Sequence, residues 1–357
     1  MSVREGRHDV KAVVLSGHGG PEVLSVCDIE KPAPSGRQVL VRVHACGVCR
    51  RDILIRRDIL IRRGPAQRGP ASPLVLGHEI AGEVAALGSD ARGFAVGDRV
   101  CSTQREYVCG CCSMCRTDRE TLCPDLRFLG QDAMGGYAEY VVIGDDNLAR
   151  LPDQIDFPIG AIVACAVGTA YNAVCDTGQV RQAERVLVTG AGGLGMHAVQ
   201  IARAAGAFVV ASTRSPKKEG PLMQAGAHTV VVAPDGRFAG GVREATGGRG
   251  VDVAIDTVGG AVFQEIRRSM VPGGRIVLVG EVTGTPVQID IATIYRRGLQ
   301  IRSAVSTSRR QLEMALRMVA AGEVRPMVDR TMPLEEAATA HRLVEDNAVA
   351  GRIVLVP

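Results

Sequence analysis

The sequence has no tryptophan, and aromatic residues make up only 3% of its 357 residues. We therefore expect few aromatic side chains to stack on a ligand. A strong excess of one charge is also missing, because the net charge is only +4, too small to indicate a nucleic-acid partner. No stretch predicts a membrane span, and the first residues, MSVREGRHDV, lack the apolar segment of a signal peptide. These absences predict a cytoplasmic protein with neither nucleic acid nor a membrane as partner.

Cysteine, by contrast, is abundant, with eleven residues. The segment CGCCSMCRTDRETLC has the spacing C-x2-C-x2-C-x7-C and contains four candidate ligands: Cys109, Cys112, Cys115 and Cys123. In a reducing compartment, four thiolates this close can complete a tetrahedral shell around one Zn²⁺ and leave no position open, which is typical of a structural site. Cys111 is left out because only Cys112 gives the even spacing. A redox or disulfide cluster is the alternative interpretation.

Length and pattern predict two domains of the α/β class. The first part is mostly β, with four strand-like segments at 11–15, 38–47, 93–100 and 135–143. From about residue 160 to 300, apolar strands alternate with helical stretches, which is the rhythm of a parallel sheet; the strands are at 185–190, 208–213, 251–260 and 274–280. Two helical stretches and a last strand follow at 309–322, 334–347 and 351–357.

A glycine-rich turn in VTGAGGLGMHAVQ predicts a dinucleotide site. The motif Gly-x-Gly-x-x-Gly lies between a strand and a helix and spans five candidate residues: Gly190, Gly192, Gly193, Leu194 and Gly195. The glycines allow a tight turn and a close approach of the backbone, and the helix start directs N–H groups and positive dipole at a pyrophosphate. The alternative is a glycine-rich turn that binds no ligand.

The end of the next strand indicates which dinucleotide binds. An acid there binds the ribose 2′-hydroxyl of NAD. Here the strand FVVAST ends in Ser212 and Thr213, followed by Arg214 and Lys218. A hydroxyl and a guanidinium suit a 2′-phosphate, which an acid would repel, so the turn favours NADP(H) over NAD(H). The alternative interpretation is an exposed basic turn.

Three further candidate ligands come from separate segments. Cys49 lies at a strand end in ACGVCRRD, His78 in LVLGHEIAG, and Cys165 in VACAVGTAY. A Cys, a His and a Cys on one Zn²⁺ leave a fourth position for water or substrate, as a catalytic zinc requires. The sequence thus predicts two zinc ions per chain, one structural and one catalytic. Cys46, which makes a C-x-x-C with Cys49, is expected to be a buried thiol.

Together these motifs resemble the zinc-containing medium-chain dehydrogenases/reductases of the alcohol dehydrogenase superfamily, over essentially the whole chain. The resemblance rests on GVCRRD, GHEIAG, VGDRV, the four-cysteine segment, GGYAEY and GAGGLG. It implies a β-rich GroES-like catalytic domain over 1–158 with a structural-zinc lobe at 109–123. A Rossmann domain with a doubly wound parallel sheet would cover 159–302, and 303–357 would return to the catalytic domain. We also expect a homo-oligomer, either a dimer or a tetramer.

The resemblance also assigns roles to single residues. It implies that the catalytic zinc is held by three of them: Cys49, His78 and Cys165. Glu79 would lie beside this metal, and Asp52 would orient the ligand histidine. Arg50 corresponds to a position that contacts the cofactor pyrophosphate, and Thr169 to one near the nicotinamide.

One position departs from the family pattern. Many alcohol dehydrogenases carry Ser or Thr two residues after the zinc cysteine, where it relays the alcohol proton, and here that residue is Arg51. The pattern Cys-x-Arg-Asp is similar instead to a branch that includes acryloyl-CoA-reductase-like enzymes, which reduce a C=C bond beside a carbonyl.

The leading hypothesis is a zinc-dependent alcohol dehydrogenase or carbonyl reductase, in which hydride passes between NADP(H) and a small alcohol or carbonyl substrate. The alternative keeps the fold and the cofactor but reduces an activated C=C bond, in a 2-enoyl thioester or an alkenal. A third hypothesis is a non-catalytic cofactor-binding protein, against which the intact ligand positions argue.

A duplicated hexapeptide lies next to Cys49. The segment Arg-Arg-Asp-Ile-Leu-Ile begins at Arg50 and again, unchanged, at Arg56. Without residues 56–61 the span to the GHE motif has the length usual in the family, so we interpret the second copy as an inserted loop. The alternative is a basic rim that attracts an anionic substrate such as a CoA thioester, formed by seven arginines: Arg50, Arg51, Arg56, Arg57, Arg62, Arg63 and Arg68.

Overall fold

The chain forms two compact units. The computed structural model describes residues 9–58, 74–281, 284 and 286–357. The first unit comprises Met1–Cys165, Thr307–Ala320 and Met327–Pro357, and the second comprises Ala166–Ser306 and Ala321–Pro326. The three-part domain division at 158 and 302 stays a prediction.

The described strands are numbered in chain order: β1 (Asp9–Leu15), β2 (Leu24–Glu30), β3 (Gln38–Gly47), β4 (Leu74–Val75), β5 (Glu79–Leu87), β6 (Arg99–Ser102), β7 (Arg105–Tyr107), β8 (Arg127–Phe128), β9 (Tyr140–Gly144), β10 (Leu148–Arg150), β11 (Arg185–Thr189), β12 (Phe208–Thr213), β13 (Thr229–Val232), β14 (Val251–Asp256), β15 (Met270–Leu278), β16 (Gln300–Ser303), β17 (Val328–Pro333) and β18 (Arg352–Val356). The α-helices are α1 (Arg50–Arg56), α2 (Phe157–Ile162), α3 (Thr169–Tyr171), α4 (Gly193–Ala204), α5 (Glu219–Gln224), α6 (Ala239–Ala245), α7 (Phe263–Ser269), α8 (Ile291–Arg297), α9 (Arg309–Ala320) and α10 (Ala337–Glu345). Two π-helical segments flank α3, at Val163–Gly168 and Asn172–Thr177. Short 3₁₀ helices occur at Pro21–Val23, Cys115–Thr117, Glu120–Leu122, Asp145–Asn147, Pro216–Lys218, Gly260–Val262 and Leu334–Glu336.

The first unit is built around β3. Within the described residues it belongs to a seven-stranded sheet with the order β10-β6-β5-β3-β18-β17, and β9 also pairs with β3. Because β3 is central, side chains on both of its faces are buried, including Val39, Leu40 and Val41. Its last residues pair with β18, so the C-terminal strand ends beside the turn that carries Cys49.

The second unit is a parallel sheet with helices. Its six described strands have the order β13-β12-β11-β14-β15-β16, and every pair is parallel. This is the strand order of a doubly wound Rossmann sheet, so the predicted α/β class is confirmed. The order reverses between β11 and β14, which places a crevice beyond the carboxyl end of β11, where ligands of such sheets bind.

Three predicted strands are clearly shorter than expected, and one of them, segment 251–260, ends at Asp256. Only the end of segment 93–100 is extended, in β6, because Gly93 and Gly97 have φ angles of 81° and 89°, outside the strand region. Segment 135–143 becomes a strand only at Tyr140.

The helical segment Phe157–Thr177 corrects the expectation that no stretch could span a membrane. It has 21 residues and is long and apolar enough to do so. However, 72% of its most apolar window is buried inside the protein. A helix surrounded by protein is apolar on every side, which explains the composition.

The first copy of the hexapeptide is helical and lies in α1. The Asp52 carboxylate accepts a hydrogen bond from the backbone N–H of Cys49 at 3.0 Å, which satisfies a free donor at the helix start. Ile53 and Ile55 are buried, and so is Arg56, the first residue of the second copy. Arg56 is therefore part of the core and not of an inserted loop. Residues 59–61, with Arg62, Arg63 and Arg68, lie outside the described residues.

Candidate active site

Three separate elements bring the predicted catalytic ligands together. Cys49 precedes α1, His78 lies between β4 and β5, and Cys165 lies in the π-helical segment Val163–Gly168. The ligand atoms of these three residues and of Glu79 all lie within 4.8 Å of one another. Single π-helical turns are rare and occur mostly at functional sites, which agrees with the place of Cys165.

Two features of this set fit a zinc ion. The sulfurs of Cys49 and Cys165 are 3.9 Å apart, and two thiolates on a tetrahedral zinc are about 3.8 Å apart. Nε2 of His78 is buried and has no hydrogen-bond partner among the described residues. Such a nitrogen is costly to bury unless a ligand fills the gap. These residues therefore suit a zinc with three protein ligands.

Asp52 fixes the orientation of His78. Its Oδ1 lies 3.0 Å from Nδ1 of the histidine, and both side chains are buried. Burial lowers the pKa of His78, but the Asp52 carboxylate outweighs it and the pKa rises to about 10. The carboxylate thus holds a proton on Nδ1, and a metal ion would take the place of the proton on Nε2.

The two thiols of the set differ in acidity. A hydrogen bond from Cys165 lowers the pKa of Cys49 well below its usual range despite burial, and the charge of Arg352 adds to this effect. The same bond raises the pKa of Cys165. The pair therefore shares one proton, which a bound metal ion would displace.

Arg352 is a functional candidate that the sequence analysis missed. Its Nη2 lies 3.0 Å from Oε1 of Glu79, an ion pair that is not aligned as a hydrogen bond. The same nitrogen lies 3.6 Å from the sulfur of Cys49 and 3.7 Å from that of Cys165. Burial raises the pKa of Glu79 to about 7, against the pull of Arg352. An arginine that starts a final strand carries no signal in its spacing, since Cys49 is 303 positions away.

Arg51 occupies the position of the missing hydroxyl relay. Its guanidinium lies 3.9 Å from the ring centre of Phe128, and its Nη2 donates to Oε1 of Gln131 at 2.7 Å. Burial lowers the pKa of Arg51, and the charges of Cys49 and Asp52 oppose this. A guanidinium has donors only and keeps its proton, so Arg51 can bind an oxygen but cannot pass a proton on.

The four-cysteine segment forms a second group of side chains that could hold a metal ion. The sulfur of Cys115 lies 3.9 Å from that of Cys109 and 3.6 Å from that of Cys112, and the sulfurs of Cys109 and Cys123 are 3.6 Å apart. These separations fit one tetrahedral zinc, whose thiolates lie about 3.8 Å apart. Backbone N–H groups lower the pKa of Cys109 to about 6. Cys111 is exposed and lies outside the set.

The glycine-rich turn follows β11 and leads into α4. Gly190 has φ of 89°, and a Cβ there would lie 2.6 Å from Oγ1 of Thr257. A Cβ on Gly195 would collide with the carbonyl oxygen of Gly190. Gly192 faces open space, with no atom within 4 Å of a Cβ position. The first and third glycines are thus required for the turn, and the second leaves room for a pyrophosphate at the start of α4, next to Gly193 and Leu194.

The end of β12 presents polar and basic groups. Ser212 is buried, and Oγ1 of Thr213 accepts from the backbone N–H of Ser215 at 3.2 Å. Arg214 is exposed, and none of the described residues pairs with its guanidinium. Lys218 is partly buried in the 3₁₀ helix Pro216–Lys218. No carboxylate from β12 itself stands where an NAD ribose would be held.

Two predicted cofactor residues lie elsewhere in the structure. Nη2 of Arg50 donates to the carbonyl oxygen of Val344 at 2.9 Å and to Oδ1 of Asn347 at 2.8 Å. Thr169 is buried in α3. Their contacts with the pyrophosphate and the nicotinamide stay predictions. Cys46 is buried, as expected.

Comparison with known proteins agrees with this geometry. The chain is 32% identical over 348 residues to an acryloyl-coenzyme A reductase of Metallosphaera sedula, which covers 97% of this chain and 99% of the relative. It is 34% identical over 346 residues to an alcohol dehydrogenase of Geobacillus stearothermophilus, with 97% and 99% covered. It is 29% identical over 360 residues to the quinone oxidoreductase of Homo sapiens, with 98% and 99% covered.

Solved structures show the same similarity. The crystal structure of AibC has a TM-score of 0.91 and 43% identity, and the match covers 98% of this chain and 96% of that one. An NAD-dependent alcohol dehydrogenase has a TM-score of 0.90 and 35% identity, with 97% and 99% covered. A zinc-binding dehydrogenase of Sinorhizobium meliloti, in a structure bound to NADP, has a TM-score of 0.85 and 29% identity, with 98% and 100% covered.

Family descriptions cover both parts of the chain. Residues 35–153 match the alcohol dehydrogenase GroES-like domain, and residues 225–355 match the zinc-binding dehydrogenase domain. With relatives above 30% identity along nearly the whole chain, these matches confirm the resemblance in the sequence motifs. The chain therefore belongs to the medium-chain dehydrogenase/reductase family of the alcohol dehydrogenase superfamily, and it is an NAD(P)-dependent oxidoreductase.

Proposed function

We propose that this oxidoreductase depends on zinc and transfers hydride between NADP(H) and a small alcohol or carbonyl substrate. The observation that carries the proposal is the convergence of Cys49, His78 and Cys165, with a buried histidine nitrogen that lacks a partner. Three protein ligands leave a fourth tetrahedral position for a substrate oxygen. Zinc would polarise a carbonyl there as a Lewis acid, and the nicotinamide would supply the hydride.

The chain's own residues prepare this site. Asp52 holds the Nδ1 proton of His78, so that Nε2 faces the metal position. Arg352 places a fixed positive charge beside Glu79 and both thiols, which stabilises their charged forms in a buried place. We propose that the four-cysteine set binds a second, structural zinc and takes no part in the reaction.

The preference for NADP(H) is supported by the end of β12. Thr213 stands where NAD enzymes carry an acid, and the exposed guanidinium of Arg214 follows it. We propose that Arg214 and Thr213, with Ser212 and Lys218 nearby, bind the 2′-phosphate, and that Gly190–Gly195 bind the pyrophosphate. The similar structures include one named NAD-dependent and one bound to NADP, so they do not favour either cofactor. The proposed preference for NADP(H) therefore rests on the residues of this protein.

A second candidate reaction is favoured by Arg51. Reduction of a carbonyl requires a proton for the new alkoxide, and a guanidinium does not relay one. Hydride addition to a C=C bond beside a carbonyl instead gives an enolate, whose oxygen Arg51 could stabilise as a hydrogen-bond donor, and the α-carbon then takes its proton from water. Relatives named acryloyl-coenzyme A reductase and quinone oxidoreductase agree with such a reaction. We propose it as the alternative, with a 2-enoyl thioester or an alkenal as substrate.

One experiment separates the candidates. NADPH oxidation is followed with a ketone, an aldehyde, an alkenal and a 2-enoyl thioester, each before and after a chelator removes accessible metal. Chelator-sensitive turnover of the ketone or aldehyde supports the leading proposal. Turnover of the alkenal or thioester alone, with reduction at the C=C bond, supports the alternative. Tight NADPH binding without turnover of any of the four would support a non-catalytic protein and would contradict both reactions.

We further propose that the protein is a cytoplasmic homo-oligomer. All eleven cysteines are free thiols, which suits a reducing compartment. β16 is an edge strand of the six-stranded sheet, with exposed apolar side chains on and around it: Ile291, Tyr295, Ile301 and Val305. Natural proteins rarely leave such an edge uncovered. Pairing of two β16 edges would give a dimer. Sedimentation of the wild type and of the variant Tyr295→Lys can test this.

A further inference from the structure

A chain of buried polar side chains leads to Asp52 from the far end of α1. Nε of Arg56 lies 3.2 Å from Nδ1 of His341. Nε2 of His341 lies 3.1 Å from the hydroxyl of Tyr137, and that hydroxyl lies 3.4 Å from Oδ2 of Asp52. All four side chains are completely buried. The partners are far apart in sequence, since Arg56 and His341 are separated by 285 positions.

The direction of every hydrogen bond in this series of side chains follows from Arg56, its first residue. A guanidinium only donates, so Nδ1 of His341 must accept from Arg56. The proton of the neutral imidazole is then on Nε2, which donates to the oxygen of Tyr137. With its lone pair used in this way, the Tyr137 hydroxyl has its own proton free for Asp52. Burial lowers the pKa of His341 to about 4, which agrees with a neutral ring.

Both ends of this series of hydrogen bonds are fixed. At one end, Arg56 also donates to the carbonyl oxygen of Gly19 at 2.5 Å and pairs with Glu345 at 2.7 Å, so its guanidinium cannot turn. At the other end, Asp52 accepts from Tyr137 and from the backbone N–H of Cys49, both at Oδ2.

Oδ1 of Asp52 is thereby left for His78, at 3.0 Å. A carboxylate that accepts two other hydrogen bonds is fixed in direction. Oδ1 therefore accepts a hydrogen bond from Nδ1–H of His78, which leaves Nε2 facing the metal position.

We propose that Tyr137 and His341 are positioning residues for the catalytic zinc: through Asp52 they set the tautomer and the direction of the His78 ring. This inference rests on the proposed zinc-dependent function. Neither residue touches the metal ligands' donor atoms, and each acts through the next. The competing role for the same contacts is stability of the core alone, which the experiment must distinguish.

The test compares three variants with the wild-type chain. Tyr137→Phe removes one oxygen at nearly constant volume. His341→Leu removes both bonds of the ring. His341→Gln is the matched control, because an amide oxygen can accept from Arg56 while the amide nitrogen donates to Tyr137, which keeps the direction of the chain. Zinc affinity is measured by competition with a coloured chelator, and the four-cysteine set serves as an internal reference in each protein.

We expect Tyr137→Phe and His341→Leu to weaken zinc binding at the catalytic set about tenfold. This is the lower end of the effect on metal affinity when a residue that supports metal ligands is replaced. Zinc binding by the four-cysteine set should be unchanged. His341→Gln should stay within about threefold of wild type by the same principle. Cobalt substituted for zinc should show shifted visible absorption bands in the first two variants only, since these bands report ligand geometry.

Three outcomes would overturn the inference. In the first, Tyr137→Phe binds zinc and cobalt as the wild type does, which leaves this series of hydrogen bonds a role in stability only. In the second, the variants bind both zinc ions more weakly by the same factor, which shows general loosening of the fold. Wild-type protein that takes up only the four-cysteine zinc would instead refute the proposed function itself, and this inference with it.

Discussion

The guanidinium of Arg352 lies 3.0 Å from the carboxylate of Glu79 and close to two cysteine sulfurs; Glu79 is completely buried and Arg352 is mostly buried. Replacing Arg352 by Met should leave Glu79 as an unpaired buried acid. Removal of one partner of a buried pair costs about 3–5 kcal/mol. We expect a lower melting temperature and loss of the catalytic zinc, while Arg352→Lys, which keeps the charge, should retain more of both. Unchanged melting and metal content in Arg352→Met would contradict this role.

Metal analysis should find two zinc ions per chain, one for each ligand set. His78→Ala should remove one, and Cys115→Ser should remove the other. We expect His78→Ala to lose turnover while its NADPH dissociation constant stays within about twofold, because the proposed pyrophosphate site is at Gly190–Gly195. Near-normal turnover in this variant would show that zinc is not the Lewis acid.

Deletion of residues 56–61 should give a folded and active enzyme. The deletion brings Arg62 behind Ile55, so an arginine again occupies the buried position of Arg56. Shortening the connection between α1 and β4 changes its closure entropy by about 0.5 kcal/mol or less. The matched control is the same deletion with Arg62→Leu, which lacks the buried guanidinium and should melt at a lower temperature. A deletant that fails to fold would show that the second copy is required by the core.

NADPH should bind more tightly than NADH. A hydrogen bond between charged groups contributes about 1.5–3 kcal/mol, or roughly ten- to a hundredfold in affinity. Thr213→Asp with Arg214→Ile should reverse the order, because the acid repels a 2′-phosphate and accepts from the free hydroxyls. Lys217 and Lys218 follow closely in the chain and should limit the reversal. Equal dissociation constants of the two cofactors in the wild type would mean that Arg214 does not reach the phosphate.

Acid should destabilise the protein partly through His341. Burial, with the charge of Arg56, lowers its pKa to about 4 although Asp52 opposes the shift, whereas an unfolded histidine has a pKa of about 6.5. Between these values the unfolded chain binds more protons, so stability falls as the pH falls through this window. The expected loss from pH 7 to pH 5 is about 2 kcal/mol. His341→Gln lacks this titration, so urea unfolding at both pH values should show a smaller loss; equal losses would contradict the assignment.

The four-cysteine segment and the glycine-rich turn could be singled out in the sequence because their information is local. Four cysteines within fifteen positions, or three glycines between a strand and a helix, have a spacing that only a few chemistries explain. The same holds for strands such as β3, in which apolar residues alternate with Arg42 and His44, and β11, whose apolar run is continuous.

The supporting residues were not accessible in this way. His341 and Arg352 have ordinary neighbours in sequence, and the motif GGYAEY around Tyr137 does not indicate its partners. The contacts of these residues with α1 or Cys49 form only when distant strands and helices pack. Arg56 was interpreted as part of an insertion because a repeated segment gives no signal about which copy the core uses. The segment 93–100 was predicted as a strand because the sequence does not show that its two glycines adopt positive φ angles.

The unit that holds the metal ligands is assembled from both ends of the chain. During translation, Cys49, His78 and Cys165 leave the ribosome long before His341 and Arg352, and the whole of Ala166–Ser306 is made in between. Because domains tend to fold as units while they are being synthesised, the nucleotide-binding part can fold first. A nascent chain therefore carries its thiols and imidazole for some time without the buried arginine that balances their charge. The surroundings of the proposed catalytic ligands are therefore complete only when the final strand, β18, has paired with β3.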